Sequence, residues 1–435
     1  MSRLSSTAVV HDETPIILAN CAQVVTCAGP ARARRGAEMQ DAGVRSGVAV
    51  AITGERIADV DSLHLLRERF REAREVDCGG RVLMPGLVDS HTHGIFGRVR
   101  ADEQELRAAG LDYMEIARRG GGIHSSVRDL RTRSEDELFE LARPRLQRLM
   151  SFGTTTIEVK SGYGLSLDDE LKSLRVIDRL ANTLPARIVP TFLGAHEIPL
   201  NHRESAAARR AYVDILINEM IPRVARERLA TFADVFCETG VYTVDESREV
   251  LTAARSAGLK LKLHADELTS SGGAELAASL NATSADHLAA VSDAGIEALA
   301  SSETVATLLP GTLLFLGKTR HAPARRFLEA GVPVALATDF NPGTSPTPNL
   351  PLILTLGVSQ LRMSASEAIV AATVNGAAAL ALAHRVGQIA PGFSADVALY
   401  DIGDFRELPY WYGDNRCVMT LTRGKPCHPS DLGLT

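Results

Sequence analysis

The chain has 435 residues, 45% of them hydrophobic and 23% charged, enough apolar sequence for a large buried core and enough charge for a wetted surface. Its 47 basic and 53 acidic side chains give a formal charge of −6, so no basic excess points to nucleic acid or to an anionic membrane surface. No apolar run approaches the roughly 18 residues of a membrane span, Met1 to Pro15 lacks the apolar stretch of a signal peptide, and six cysteines without a CxxC pair read as reduced thiols in a cytoplasmic protein.

The first stretch reads as short strands and turns: Ile16 to Leu18, Gln23 to Thr26, Gly47 to Ile52 and Arg56 to Asp59 are apolar or β-branched runs broken by Gly, Pro or charge. Between them, Asn20 to Gly47 reads as a lengthened loop whose Ala-Arg-Ala-Arg-Arg run at 31–35 is a solvated charge run. The middle alternates apolar runs with helical patterns. Eight strands are expected, at Val82 to Ser90, Thr154 to Val159, Arg187 to Leu193, Ala233 to Cys237, Leu259 to Leu263, Thr283 to Asp286, Val305 to Leu309 and Val332 to Thr338. Asp168 to Asn182, Ala206 to Met220 and Asp245 to Ala257 carry apolar residues at helical spacing. Ser366 to Leu382 is Ala-rich and fits either a packed interior or a contact between subunits. Ala395 to Tyr400 and Val418 to Thr422 return to strand character. The expected fold is therefore α/β, a (β/α)8 TIM-like barrel over residues 85–389, with a small β-sandwich formed from both chain ends, residues 1–84 and 390–435.

Chemistry gathers at the strand ends. Pro85-Gly86-Leu87-Val88-Asp89-Ser90-His91-Thr92-His93 closes the first strand, and residues two apart in extended chain share a side, so His91 and His93 can reach one ion. Lys160 ends the second strand; His196, Glu238, His264, His287 and Asp339 follow the third, fourth, fifth, sixth and eighth. Any one histidine is more often structural than functional, but metal-capable residues at seven of eight strand ends mark a metal hydrolase at the catalytic face of a barrel. The favoured ligand set is His91, His93, His264 and Asp339, and three imidazoles with a carboxylate suit zinc or ferrous iron over magnesium or calcium. Asp339 could also take a proton from the attacking water.

The order His-x-His, His, His, His, Asp resembles the amidohydrolase superfamily, and longer motifs extend the resemblance to its imidazolonepropionase family from about Val82 to Ala395. They are Tyr113-Met114-Glu115-Ile116-Ala117 with Gly120-Gly121-Gly122-Ile123; Glu158-Val159-Lys160-Ser161-Gly162-Tyr163-Gly164-Leu165; Val235-Phe236-Cys237-Glu238; His264-Ala265-Asp266-Glu267; Ser284-Ala285-Asp286-His287-Leu288; and Ala337-Thr338-Asp339-Phe340-Asn341-Pro342-Gly343-Thr344-Ser345-Pro346.

The resemblance implies hydrolysis of a ring amide C–N bond in 4-imidazolone-5-propanoate, one Zn2+ or Fe ion per chain on the same four ligands, and a homodimer. It places substrate contacts at Arg100, Tyr163, His196, Glu267, Asn341, Gly343 and Thr344, and catalysis at Glu267, His287 and Asp339. Arg100 offers a planar fork to a propionate. The bland alternatives are a surface ion pair for Arg100, a packed ring for Tyr163 and a plain turn for Asn341 to Thr344. In some relatives a lysine at the Lys160 position is carbamylated and bridges two metals; an ordinary structural lysine is the alternative. His287 or His196 would support the oxyanion, and Glu267 or Asp339 would pass a proton to the departing nitrogen. Gly94 and Arg98 depart from the family pattern in the loop leading to Arg100. The rival readings are a different amidohydrolase or deaminase and a catalytically dead relative; the intact ligand set opposes the second.

Overall fold

The computed structural model describes residues 14–111, 115–116 and 119–427, so Tyr113, Met114 and Ala117 of the first quoted motif lie outside the described residues. The described chain opens with seven strands: β1 (Ile16–Ala19), β2 (Gln23–Val25), β3 (Val44–Arg45), β4 (Ala49–Thr53), β5 (Arg56–Asp61), β6 (Arg74–Asp77) and β7 (Val82–Pro85). Eight follow through the middle: β8 (Leu87–Asp89), β9 (Thr154–Lys160), β10 (Arg187–Ala195), β11 (Phe232–Cys237), β12 (Lys260–Ala265), β13 (Ser284–His287), β14 (Val305–Leu308) and β15 (Val334–Leu336). The last are β16 (Val397–Tyr400), β17 (Cys417–Thr422) and β18 (Lys425–Pro426).

The eight middle strands form one parallel sheet in chain order from β8 to β15. Its edges meet where Thr92 bridges Phe340 and the His93 amide donates to the Phe340 carbonyl at 2.8 Å. Asp89 seals the seam, accepting from the Thr338 amide at 3.1 Å and from its hydroxyl at 2.6 Å. The product is the expected nearly closed (β/α)8 barrel.

The other strands make a four-stranded sheet, β5-β4-β1-β6, and a six-stranded sheet, β18-β17-β16-β7-β2-β3. Leu18, Val50 and Val76 of the first share a core with Leu83, Val397 and Leu421 of the second, which joins both chain ends in a sandwich.

One strand differs from expectation. Val82 to Ser90 is not continuous: β7 pairs with β2 and β16, whereas β8 starts the barrel. The chain crosses between sheets at Gly86, where a Cβ would stand 2.2 Å from Thr155 Cγ2. Three strands had no sequence signal; β6, for instance, reads Arg-Glu-Val-Asp and buries only Val76. The Ala-rich region forms helices Ala365–Ala371 and Val374–Ala378, mostly buried against the barrel, with the Val88 amide donating to Ala372 O at 2.8 Å. It packs inside the molecule.

Period-two alternation explains why charged residues sit in buried strands. In β12, Leu261, Leu263 and Ala265 join the core shared with the surrounding helices, so Lys262 and His264 face the barrel interior. The same alternation in β9 sends Ile157 and Val159 outward and Glu158 and Lys160 inward, and in β11 sends Asp234 inward.

Candidate active site

His91, His93, His264 and Asp339 converge at the catalytic end of the barrel, none more than 3% exposed. His93 Nε2 lies 3.3 Å from His91 Nε2 and 3.4 Å from His264 Nε2; Asp339 Oδ1 lies 3.5 Å from His93 Nε2 and 3.7 Å from His91 Nε2. A tetrahedral ion about 2.0–2.2 Å from each ligand spaces the ligand atoms about 3.3–3.6 Å apart. The separations among His91, His93 and Asp339 lie close to that spacing, and His264 joins the three through His93. Burial, and then neighbouring cationic groups, hold the His91 and His93 pKa values well below the usual range, leaving the neutral imidazoles that a metal needs. Asp339 turns into the cluster through a left-handed backbone (φ 51°), and Thr312 donates to its Oδ2 at 2.6 Å, leaving Oδ1 towards the histidines.

Behind the histidines stands a charged layer with no side-chain exposure. Asp286 Oδ2 is 2.6 Å from His91 Nδ1, and Asp234 Oδ2 is 3.0 Å from His264 Nδ1. The Asp286 carboxylate on His91 Nδ1 fixes the proton there and aims the His91 Nε2 lone pair at the cluster. Lys160 Nζ touches Asp234 at 2.7 Å, Glu158 at 3.0 Å and Asp286 at 3.8 Å. Lys262 Nζ donates to Ser90 O at 2.9 Å and lies 3.4 Å from Glu158 and 3.6 Å from Asp286. Burial opposes the Lys160 charge, but Asp234, Glu158 and Asp286 outweigh it and raise its pKa. Lys160 is therefore an ammonium counterion. Glu238 also turns away from the cluster: it accepts from the Thr239 amide at 2.9 Å and the Leu268 amide at 2.8 Å, holding the loop beyond β12.

Around the cluster stand the other expected residues. His196 stacks on His93 with ring centres 5.0 Å apart, and its Nδ1 lies 2.9 Å from Gly162 O. A carbonyl only accepts, so Nδ1 carries the proton and Nε2 is an acceptor. With burial lowering its pKa to about 3, His196 is a neutral acceptor and cannot offer Nε2–H to an oxyanion. His287 lies 5.3 Å from His91 and 5.2 Å from His264 between ring centres, and its Nε2 is 3.6 Å from Glu267 Oε2. Burial, then Asp339 and Glu238, raise Glu267 to about 8, while burial raises Asp339 to about 6. Tyr163, 5% exposed, sits with its ring centre 5.4 Å from His196 and 6.0 Å from His93.

Arg100 is 7% exposed, its Nε lacks a hydrogen-bond partner among the described residues, and Glu103 Oε2 stands 3.5 Å from it. Its guanidinium lies against Gly343, where a Cβ would come 1.2 Å from one terminal nitrogen. Asn341 builds the turn that presents Gly343: its Oδ1 accepts from the Gly343 amide at 2.8 Å and the Thr344 amide at 2.7 Å, and its Nδ2 donates to Asp339 O at 2.7 Å. Arg107 fastens the same turn by donating to Gly343 O at 3.0 Å. Gly94 packs under Leu146, where a Cβ would stand 3.1 Å from Cδ2, and the Arg98 side chain pairs with Asp102 at 2.9 Å.

Sequence reasoning did not single out Asp234, Asp286, Thr312 or Asp89. The signal for three of these was a carboxylate inside an otherwise apolar parallel strand, a placement that demands a buried partner.

A model of the amidohydrolase family matches residues 114–428. Similar curated proteins include the imidazolonepropionase of Bacillus velezensis, 46% identical over 94% of this chain and 96% of its own length. That of Clostridium tetani is 44% identical over 92% of this chain and 95% of its own. Among solved structures, an adenosine deaminase from Xanthomonas campestris with bound zinc superposes with a TM-score of 0.70 at 19% identity, covering 94% of this chain and 92% of that one. Atrazine chlorohydrolase of Arthrobacter aurescens complexed with zinc gives 0.67 at 18%, covering 94% of each chain. At that identity the structural likeness concerns the fold.

Proposed function

The chain belongs to the amidohydrolase family, among its imidazolonepropionases, and from that premise we propose how it hydrolyses the ring amide C–N bond of 4-imidazolone-5-propanoate to N-formimidoyl-L-glutamate in histidine degradation. The observation that carries this reading is a buried cluster of imidazoles and a carboxylate, together with a buried guanidinium, Arg100, whose Nε has no hydrogen-bond partner among the described residues.

A metal cofactor goes with the family. The finer reading is one Zn2+ or Fe ion per chain on His91, His93, His264 and Asp339, supported by the ligand spacing and by a donor set of three imidazoles and a carboxylate. The ammonium character of Lys160 supports a single ion, because a protonated amine has no lone pair to carbamylate. Bound there, such an ion supplies Lewis acidity, making water acidic enough to attack at neutral pH and polarising the carbonyl under attack.

Arg100 grips the propionate, and Gly343 and Thr344 offer the backbone that Asn341 shapes beside it. Tyr163 covers the ring and His196 Nε2 accepts a ring N–H, the role its tautomer allows. Asp339 takes the proton from water as its oxygen adds to the ring carbonyl. His287 is left as the imidazole that stabilises the oxyanion. Glu267, raised towards a protonated form, delivers a proton to the departing ring nitrogen as the C–N bond breaks. The proton held by Asp339 then restores Glu267, so that over the cycle water has given a hydroxyl to carbon and a proton to nitrogen.

We place the enzyme in the cytoplasm as a homodimer. Free cysteines support the location, and no described helix is long and apolar enough to cross a membrane. Residues 1–84 and 390–435 are read as one unit and 85–389 as the barrel.

The test is loss of ultraviolet absorbance from freshly generated 4-imidazolone-5-propanoate, with metal content assayed on the same sample. Turnover that disappears in Arg100→Ala while about one metal per chain remains supports the substrate and site assignments. A metal-loaded sample without activity leaves an amidohydrolase of another substrate.

A further inference from the structure

Helix Ile123–Thr132 touches neither the histidine cluster nor, in the reading above, the substrate, yet it is tied at three points to the two loops that flank the pocket. At its start, Glu103 Oε1 accepts from the Gly122 amide at 2.8 Å while Glu103 Oε2 stands 3.5 Å from Arg100 Nε. In its middle, Asp129 Oδ2 accepts from the Arg98 amide at 2.8 Å, two residues before Arg100. Gly97 leaves no room there for a side chain, since a Cβ would meet Asp129 Oδ2 at 1.6 Å. Arg133 grips Asp129 from behind at 2.8 and 2.9 Å.

Near its end, Arg131 donates to Gly164 O at 2.8 Å and Leu165 O at 2.9 Å, the carbonyls just past Tyr163. The amides of that loop are held from below by Glu170, which accepts from Gly162 at 3.0 Å and from Gly164 and Leu165 at 2.8 Å. Leu165 is kept in a left-handed conformation (φ 51°), which over-determined hydrogen bonding can hold.

A cavity of about 460 Å³, lined by Arg98, Glu103, Leu106, Gly121, Ser125 and Asp129 among others, opens along the helix. Beside that opening, the polar links named above tie the helix to the Arg100 loop.

We propose that helix Ile123–Thr132 is a brace that sets the distance between the carboxylate-binding Arg100 and the ring-binding Tyr163. Asp129 is the positioning residue for the first and Arg131 for the second. The substrate labels rest on the functional reading above; the mechanical link does not. Because the two ends hold different parts of one substrate, they have different kinetic signatures.

The experiment compares wild type, Asp129→Ala and Arg131→Gln on 4-imidazolone-5-propanoate and on 5-methyl-4-imidazolone, which lacks the carboxylate. Metal content and Tm are followed on each sample. Asp129→Ala is expected to raise KM for the propionate compound on the order of tenfold, to leave KM for the methyl compound in place, and to lose its effect in an Arg100→Ala background. Arg131→Gln is expected to raise KM for both compounds alike, with kcat changed less than KM in each variant.

Equal effects of the two variants on both compounds, or a fall in Tm without a change in KM, would overturn the brace. If the wild type turns over neither compound, the functional reading fails while the link is still tested by amide hydrogen exchange in the ligand-free enzyme. Faster exchange at Arg98 in Asp129→Ala and at Gly162, Gly164 and Leu165 in Arg131→Gln supports the link; unchanged exchange at both loops refutes it.

Discussion

Gly343→Ala separates the cost of a side chain to the fold from its cost to the site. The added Cβ would lie 1.2 Å from one Arg100 terminal nitrogen and 2.1 Å from Cζ, whereas ordinary contact is about 3.4 Å or more, so the guanidinium must withdraw by roughly 2 Å. The obstructing atoms are the far end of a flexible side chain. The fold can therefore yield cheaply, and Tm and metal content are expected to stay near wild type. The site cannot, because misplacing a binding group by about 1 Å can cost about 100-fold. An upper bound comes from removing the charge-assisted contact altogether, about 1.5–3 kcal/mol, or roughly 10- to 150-fold.

Gly343→Ala is thus expected to lower kcat/KM by about 10- to 100-fold, mainly through KM, in the ultraviolet assay with 4-imidazolone-5-propanoate. The double variant Gly343→Ala/Arg100→Ala should be no worse than Arg100→Ala alone, because both changes act through one contact. A multiplicative double variant, or an unchanged KM in Gly343→Ala, would refute the reasoning.

Asp286→Asn removes the carboxylate that orients His91 and is expected to weaken metal binding about 10- to 100-fold in chelator competition; unchanged affinity would place the control of His91 elsewhere. Chelation should abolish turnover and lower Tm, and at a free ion concentration of about 100 times Kd the ion's contribution to stability is about 2.7 kcal/mol, readable by denaturant titration. Lys160→Met leaves Glu158, Asp234 and Asp286 short of a buried cation and is expected to destabilise the fold by about 3–5 kcal/mol in urea; a loss below about 1 kcal/mol would mean that Lys262 alone balances the layer.

The sequence by itself determined the number of barrel strands and the ends at which chemistry collects, and it pointed to the four candidate ligand residues, because these follow from local alternation and from residue type. His91 and His93 are two apart in extended chain, and His264 and Asp339 close later strands of the same barrel, so their convergence needs only the barrel's closure. The tertiary structure alone decided what stands behind and beside them. Nothing in the local sequence says that Asp286 meets His91, 195 positions away, or that Lys160 meets Asp234, 74 positions away; these pairs join strands that are not neighbours in the sheet, β8 with β13 and β9 with β11, and form because closure of the barrel turns their inward-facing residues into one buried layer. The split at Gly86 was likewise invisible, since β7 and β8 read as one apolar run and differ only in the sheet each joins. The proton on His196 Nδ1 and the close seat of Arg100 on Gly343 depend on single through-space contacts, which residue types and their spacing do not encode.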